Sequence, residues 1–254
     1  MSAAKINIEM NLDGLYNCYT IGFIATENSR SFGTCFVASF RDVIFLITDC
    51  HVLYCRRTED LYDTHISVRF THQDSGPDDG AILSLNIEKD DVWFDESLDI
   101  ALIKINGLAE GKLEFLTESY EVLKPLPILM FDLGSQWSKD AYILGFPHSV
   151  SLDSPFDSKP TLSRGVVSTV DINKGHLIVD IPSIYGLSGS PVFGVINNEI
   201  SIIGIVQKLF PFNAEWFSKN EPGISRSDWH NSGYTKCLSA TRIKNFIEYH
   251  EGAN

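Results

Sequence analysis

Apolar residues fall along this chain in short runs, at 19–25, 34–37, 43–48, 66–71, 81–87 and 100–105 in the first half. The second half continues with 141–144, 165–171, 176–181, 192–195 and 200–207. Several runs alternate. Ile66, Val68 and Phe70 fall on one side of an extended chain and Ser67, Arg69 and Thr71 on the other, the period of a half-buried strand. Turn signals such as Asn173-Lys174-Gly175 and Asn197-Asn198 separate the runs. Many short strands at this spacing predict an all-β sandwich or barrel. The segment 107–136, which carries Pro125 and Pro127, lacks strand alternation and reads as a connector between two groups of strands. Only the end has helical spacing: Ser239 is placed to cap a helix over 240–249, with Ile243, Phe246 and Ile247 on one face.

Composition narrows the function classes. Of 254 residues, 33 are acidic and 20 basic, for a formal charge of -13, and the Lys and Arg residues are scattered. Phosphate binding needs concentrated positive charge, so nucleic acid is not an expected partner. Lys5, Glu9 and Asp13 interrupt any signal-peptide core, and no apolar stretch is long enough to cross a bilayer. The expected location is the cytoplasm. The five cysteines include no CxxC pair, which fits free thiols better than a disulfide framework or a metal site.

Three runs carry candidate chemistry: LITDCHVL around His51, SLDIALIKI around Asp99 and GLSGSPVFG around Ser188. A serine hydroxyl attacks an amide only if a neighbouring imidazole removes its proton, and a carboxylate must fix the imidazole tautomer. His51, Asp99 and Ser188 supply those three groups. Glycine beside the serine allows the tight turn that aims backbone amides at an oxyanion, here those of Gly186 and Ser188. The rival reading of Asp95, Glu96 and Asp99 as a metal or glycosidase cluster is weaker, because Asp95 and Glu96 read as a solvated turn. The aromatic stretch Phe210, Phe212, Trp216 and Phe217 reads either as a binding surface or as a loop buried against the second group of strands.

GLSGSP resembles the G-x-S-G-G-P signature of the chymotrypsin superfamily, TDCHVL its T-A-A-H segment and LDIALIKI its D-I-A-L strand. YILGFPHS at 142–149 and SRGVVSTVD at 163–171 are most similar to HtrA-type bacterial trypsin-like peptidases. The resemblance implies two antiparallel six-stranded β-barrels, in residues 1–115 and 137–254, joined by a connector at 116–136 and followed by a C-terminal helix on the second barrel. It implies a serine endopeptidase with His51 as general base, Asp99 as its orienting carboxylate, Ser188 as nucleophile and Gly186 with Ser188 as oxyanion hole. No metal or organic cofactor is implied. It sets the floor of the substrate pocket at Pro182 and its walls at Tyr185 and at Gln207 to Leu209. No carboxylate lies there, so a medium-sized apolar side chain is expected at the cleaved bond rather than Arg or Lys.

The departures matter too. Ser190 stands where Gly is usual, and Asp49 and Cys50 where Ala is common. Leu187 replaces the Asp that receives a cleaved N-terminus in digestive members, so activity is expected without such cleavage, with control exerted elsewhere, for example through the loop 148–162. The 66 residues after Ser188 are expected to finish the second barrel and helix without an HtrA-type PDZ module, so substrate choice is expected to fall to the domain's own loops or to a regulatory partner protein. The expected substrate is a narrow protein or peptide target. An α/β-hydrolase is disfavoured by the order His, Asp, Ser and by Ser190 in the elbow pattern. A silent, protease-like binding module is the rival from another class.

Overall fold

The structure is a computed structural model and describes residues 20–26, 31–70, 81–115, 125–128, 132–147, 160–217 and 224–252. Tyr19, Thr71, Cys18 and most of the loop 148–162 lie outside these.

The first group of strands forms one curled sheet. Its hydrogen-bonded path runs β10 (Leu113–Phe115), β7 (Ala81–Asn86), β6 (His65–Phe70), β1 (Ile21–Thr26), β2 (Phe32–Phe40), β3 (Val43–Thr48), β9 (Ile100–Lys104) and β8 (Val92–Asp95). A one-turn helix α1 (Cys50–Leu53) and the small pair β4 (Tyr54–Cys55) and β5 (Asp60–Leu61) follow β3. The second group closes into a six-stranded barrel in the order β12 (Asp140–Gly145), β13 (Thr161–Asp171), β14 (His176–Val179), β17 (Ile224–Ser239), β16 (Glu199–Phe217) and β15 (Pro191–Ile196). The chain is therefore all-β, with two barrel-like units.

The two-residue period explains why runs such as VIFLIT are apolar throughout. Cys35 and Val37 of β2, Leu46 of β3 and Ala101 and Ile103 of β9 point into the first unit. Their neighbours Phe36, Ala38, Phe45, Ile47, Ile100 and Leu102 point out, into a second core shared with Tyr142, Leu144, Phe193 and Ile205 of the other barrel. Strands buried on both faces read as continuous apolar runs. A third cluster, including Ile143, Val167, Leu177, Val192 and Val206, fills the second barrel.

Ser239 accepts the Arg242 amide at 3.4 Å, at the start of helix α2 (Ala240–Gly252). Ile243, Phe246 and Ile247 of α2 enter the shared core. The helix does not rest on the second barrel alone: Arg41 meets Glu248 at 3.3 Å, Lys104 meets Glu251 at 2.9 Å and Trp93 stacks on His250. It straps both units.

Of the connector expected at 116–136, residues 116–124 and 129–131 lie outside the described residues. The rest contributes β11 (Leu126–Pro127), which pairs parallel with β2, and a 3-10 turn at Leu133–Gln136. Pro127 is tolerated because β11 is a short strand outside the main path of the sheet. No helix among the described residues is long and apolar enough to cross a membrane.

Candidate active site

Strand β3 ends at Thr48, and α1 turns immediately so that Val52 and Leu53 enter the first core while His51 faces outward. Asp99 ends the tight turn between β8 and β9, in the left-handed region at φ 50°, an uncommon place for a residue with a Cβ. Asp95 builds that turn by accepting the amides of Ser97 and Leu98 at 2.7 and 3.0 Å. Ser188 lies on the loop before β15. These elements bring three distant residues together: His51 Nδ1 lies 2.9 Å from Asp99 Oδ2, and His51 Nε2 lies 3.0 Å from Ser188 Oγ. The His51 amide also donates to Asp99 Oδ1 at 3.1 Å.

Burial pushes the Asp99 carboxyl up, but the His51 ring, the His51 amide and the charge of Lys208 outweigh it and hold the group below the usual carboxylate range. Asp99 is thus anionic and able to stabilise an imidazolium. Asp49 is the opposite case. Fully buried, it is pushed well above the usual range by desolvation and by the Asp99 charge, with the Gly189 amide opposing. Burial and the surrounding acids push the Cys50 thiol up to about 12, so it is no thiolate nucleophile at neutral pH. Asp49, His51 and Asp99 bring donor atoms within 4.8 Å of one another, yet the Nδ1 approach to Asp99 has hydrogen-bond length.

The loop that carries Ser188 is held from the first unit. Thr34 of β2 donates its hydroxyl to the Gly186 carbonyl at 2.8 Å, and that hydroxyl accepts the Phe146 amide at 2.9 Å. The Thr34 amide donates to the Ser188 carbonyl at 2.8 Å. Asp49 Oδ2 accepts the Gly189 amide at 3.0 Å. Gly189 has φ 83°, and a Cβ there would strike the Thr34 carbonyl, so only glycine fits. Gly186 has φ 95°, and among the described residues neither its amide nor that of Ser188 donates to an acceptor. Leu187 is buried in the second barrel's core, and Ser190 keeps a negative φ, which accommodates its Cβ.

A cleft of about 1010 Å³ opens beside Ser188. Tyr185, Gln207 and Leu209 line it, as do Lys208, Ile184, Asn231 and Lys236. Pro182 is not among its walls: it is exposed, and the next residue, Ser183, lines the cleft, with its carbonyl held by Asn231 at 2.7 Å. The acidic run is a turn, with Asp95 capping it and Glu96 paired to Arg56 at 2.7 Å. The aromatic stretch is strand, not loop. It forms the outer part of β16 in a long ribbon with β17, where Phe210 and Phe212 are half-exposed and Trp229 is largely exposed. Sequence reasoning missed Thr34, Asn231 and Lys236, because no local motif marks them. It flagged Asp49 only for its neighbour.

The trypsin-like peptidase domain model matches residues 33–205, a span that takes in His51, Asp99 and Ser188. No curated protein matches the chain. Among solved structures, a Glu endopeptidase is similar at TM-score 0.60 and 16% identity over 92% of this chain and 91% of that one. A thermostable serine protease, AL20, from an extremophilic microorganism is similar at 0.57 and 11%, over 94% of this chain and 100% of that one. A serine endoprotease from Yersinia pestis is similar at 0.53 and 16%, over 92% of this chain, which spans 65% of that protein's length. With the matched family model covering most of its length, the chain belongs to the trypsin-like peptidase family.

Proposed function

We propose that this chain hydrolyses peptide bonds within protein substrates through an acyl-enzyme on Ser188. The observation that carries the reading is the continuous file from Asp99 through His51 to Ser188, with contacts of 2.9 and 3.0 Å. His51 Nε2 takes the Ser188 proton as Oγ attacks the substrate carbonyl, and the Gly186 and Ser188 amides receive the oxyanion. The imidazolium, steadied by Asp99, then protonates the leaving amine. Water repeats the sequence on the ester and frees Ser188.

Ile184, Tyr185 and Leu209 supply an apolar surface for the side chain before the cleaved bond. The motif style sets the chain beside HtrA-like peptidases, and unpaired Cys35, Cys50, Cys55 and Cys237 fit a reducing compartment such as the cytoplasm. A peptidase there needs a narrow substrate or a restraining partner. Cleavage of casein at many sites by the isolated protein would count against that restraint.

The test is covalent labelling by a fluorophosphonate. The protein is expected to label at Ser188, and Ser188→Ala is expected to lose both labelling and peptide hydrolysis, the latter by about 10⁶-fold. Well-folded protein that does not label would instead be a protease-like fold used for binding.

A further inference from the structure

The cleft beside Ser188 is lined by two cations, Lys208 and Lys236. Lys208 and Lys236 sit opposite each other in the register of β16 and β17, and both line the cleft. The other charged groups lining it are engaged, Arg56 with Glu96 at 2.7 Å and Asp99 with His51 at 2.9 Å. Among the described residues neither lysine forms an ion pair. This runs against the molecule as a whole, whose formal charge is -13.

Their position ties them to the reaction. Lys208 directly follows Gln207, whose carbonyl accepts the Ser188 hydroxyl at 3.4 Å and whose side-chain amide holds the Leu98 carbonyl beside Asp99. Residues flanking an attacked carbonyl therefore pass close to this wall. Lys236 is partly buried, and desolvation with the charges of Lys208 and Lys174 pulls its ammonium below the ordinary value, although Asp99 and Asp171 oppose this. An incoming carboxylate would relieve that repulsion, and a charge-assisted contact in a partly desolvated cleft discriminates strongly.

We infer that Lys208 and Lys236 select substrates bearing an acidic side chain close to the cleaved bond. This rests on Ser188 being the nucleophile. It adds a charge requirement to the apolar surface of Ile184, Tyr185 and Leu209. The competing role for the pair is internal: Lys208 already helps hold Asp99 anionic.

The experiment uses fluorogenic peptides in which Glu or Gln occupies, in turn, each position near the cleaved bond. Wild-type protein is expected to prefer Glu over Gln at one position by about tenfold or more in kcat/KM. In Lys236→Gln and in the Lys208→Gln/Lys236→Gln pair the ratio is expected to fall below about threefold, through loss on the Glu peptide, with Lys236→Arg retaining it. Thermal unfolding checks that each variant is folded. No preference at any position, a preference that survives the double substitution, or an equal loss on both peptides would overturn the inference. The last result would assign the lysines to Asp99. Wild-type protein that labels with fluorophosphonate yet cleaves none of the peptides would also overturn the inference. Absence of labelling would instead remove the catalytic reading beneath it.

Discussion

At the scale of single residues, Thr34 and Asp49 hold the loop that carries Ser188, and neither belongs to the proposed triad. Thr34→Val is nearly isosteric but deprives the buried Gly186 carbonyl and Phe146 amide of their partner. Each orphaned group costs about 1–3 kcal/mol. Loosening Gly186 is expected to lower kcat by about 10- to 100-fold with little change in KM, since the oxyanion contact forms only during reaction. Steady-state kinetics beside denaturant unfolding checks both effects. Asp49 gives a signed pH test. Its folded pKa lies above the unfolded one, so the folded state holds the extra proton, and stability falls as pH rises from the ordinary aspartate range towards the raised value. Asp49→Asn keeps an acceptor for the Gly189 amide and cannot ionise. It is expected to melt with the wild type at pH 4 and above it at pH 8; the reverse order at pH 8 would show that an ionised Asp49 is stabilising. Asp99, held low, works in the other direction, its contribution being lost only as pH falls through its folded value. His51, Asp99 and Ser188 were legible because each sits in a local motif. Thr34 was not, since its role is set by residues more than a hundred positions away.

Elements show why some strands could be read and others not. The longer strands of the first unit, β1, β2, β3, β6, β7 and β9, announce themselves because burial on one or both faces fixes their apolar pattern, as in β6 and β9, whereas the short β4, β5, β8 and β10 do not. Strand β17 was missed. Its barrel part reads Thr235, Lys236, Cys237, with a small polar residue and a thiol as the buried members, and its outer part pairs only with β16. The outer part of β16 was hidden for the same reason, with Pro211 inside it. A two-stranded ribbon open to solvent imposes no burial pattern on its residues. The same contrast gives an energetic expectation. Ile243→Ala in α2 opens a void in the core shared by both units and is expected to cost about 2–5 kcal/mol. Trp229→Ser on the ribbon removes a largely exposed ring and is expected to change stability by less than about 0.5 kcal/mol. Urea midpoints of the two variants provide the comparison.

For the whole molecule, the sequence reading located two groups of strands and a final helix, and the structure arranges them around a core that neither group owns. That arrangement was only half legible: the doubly apolar runs signalled a second buried face without saying what would cover it. The cover is the other barrel together with α2, which reaches Arg41, Trp93 and Lys104 of the first unit. One feature of this assembly bears on the order in which its parts are made. Thr34 and Asp49 lie early in the sequence, the loop they grip lies late, and β17 and α2, which complete the barrel and the strap, come later still. With Ser188 as the proposed nucleophile, a chain emerging from the ribosome carries His51 and Asp99 long before the loop bearing Ser188 is gripped, and β17 and α2 are made after that loop.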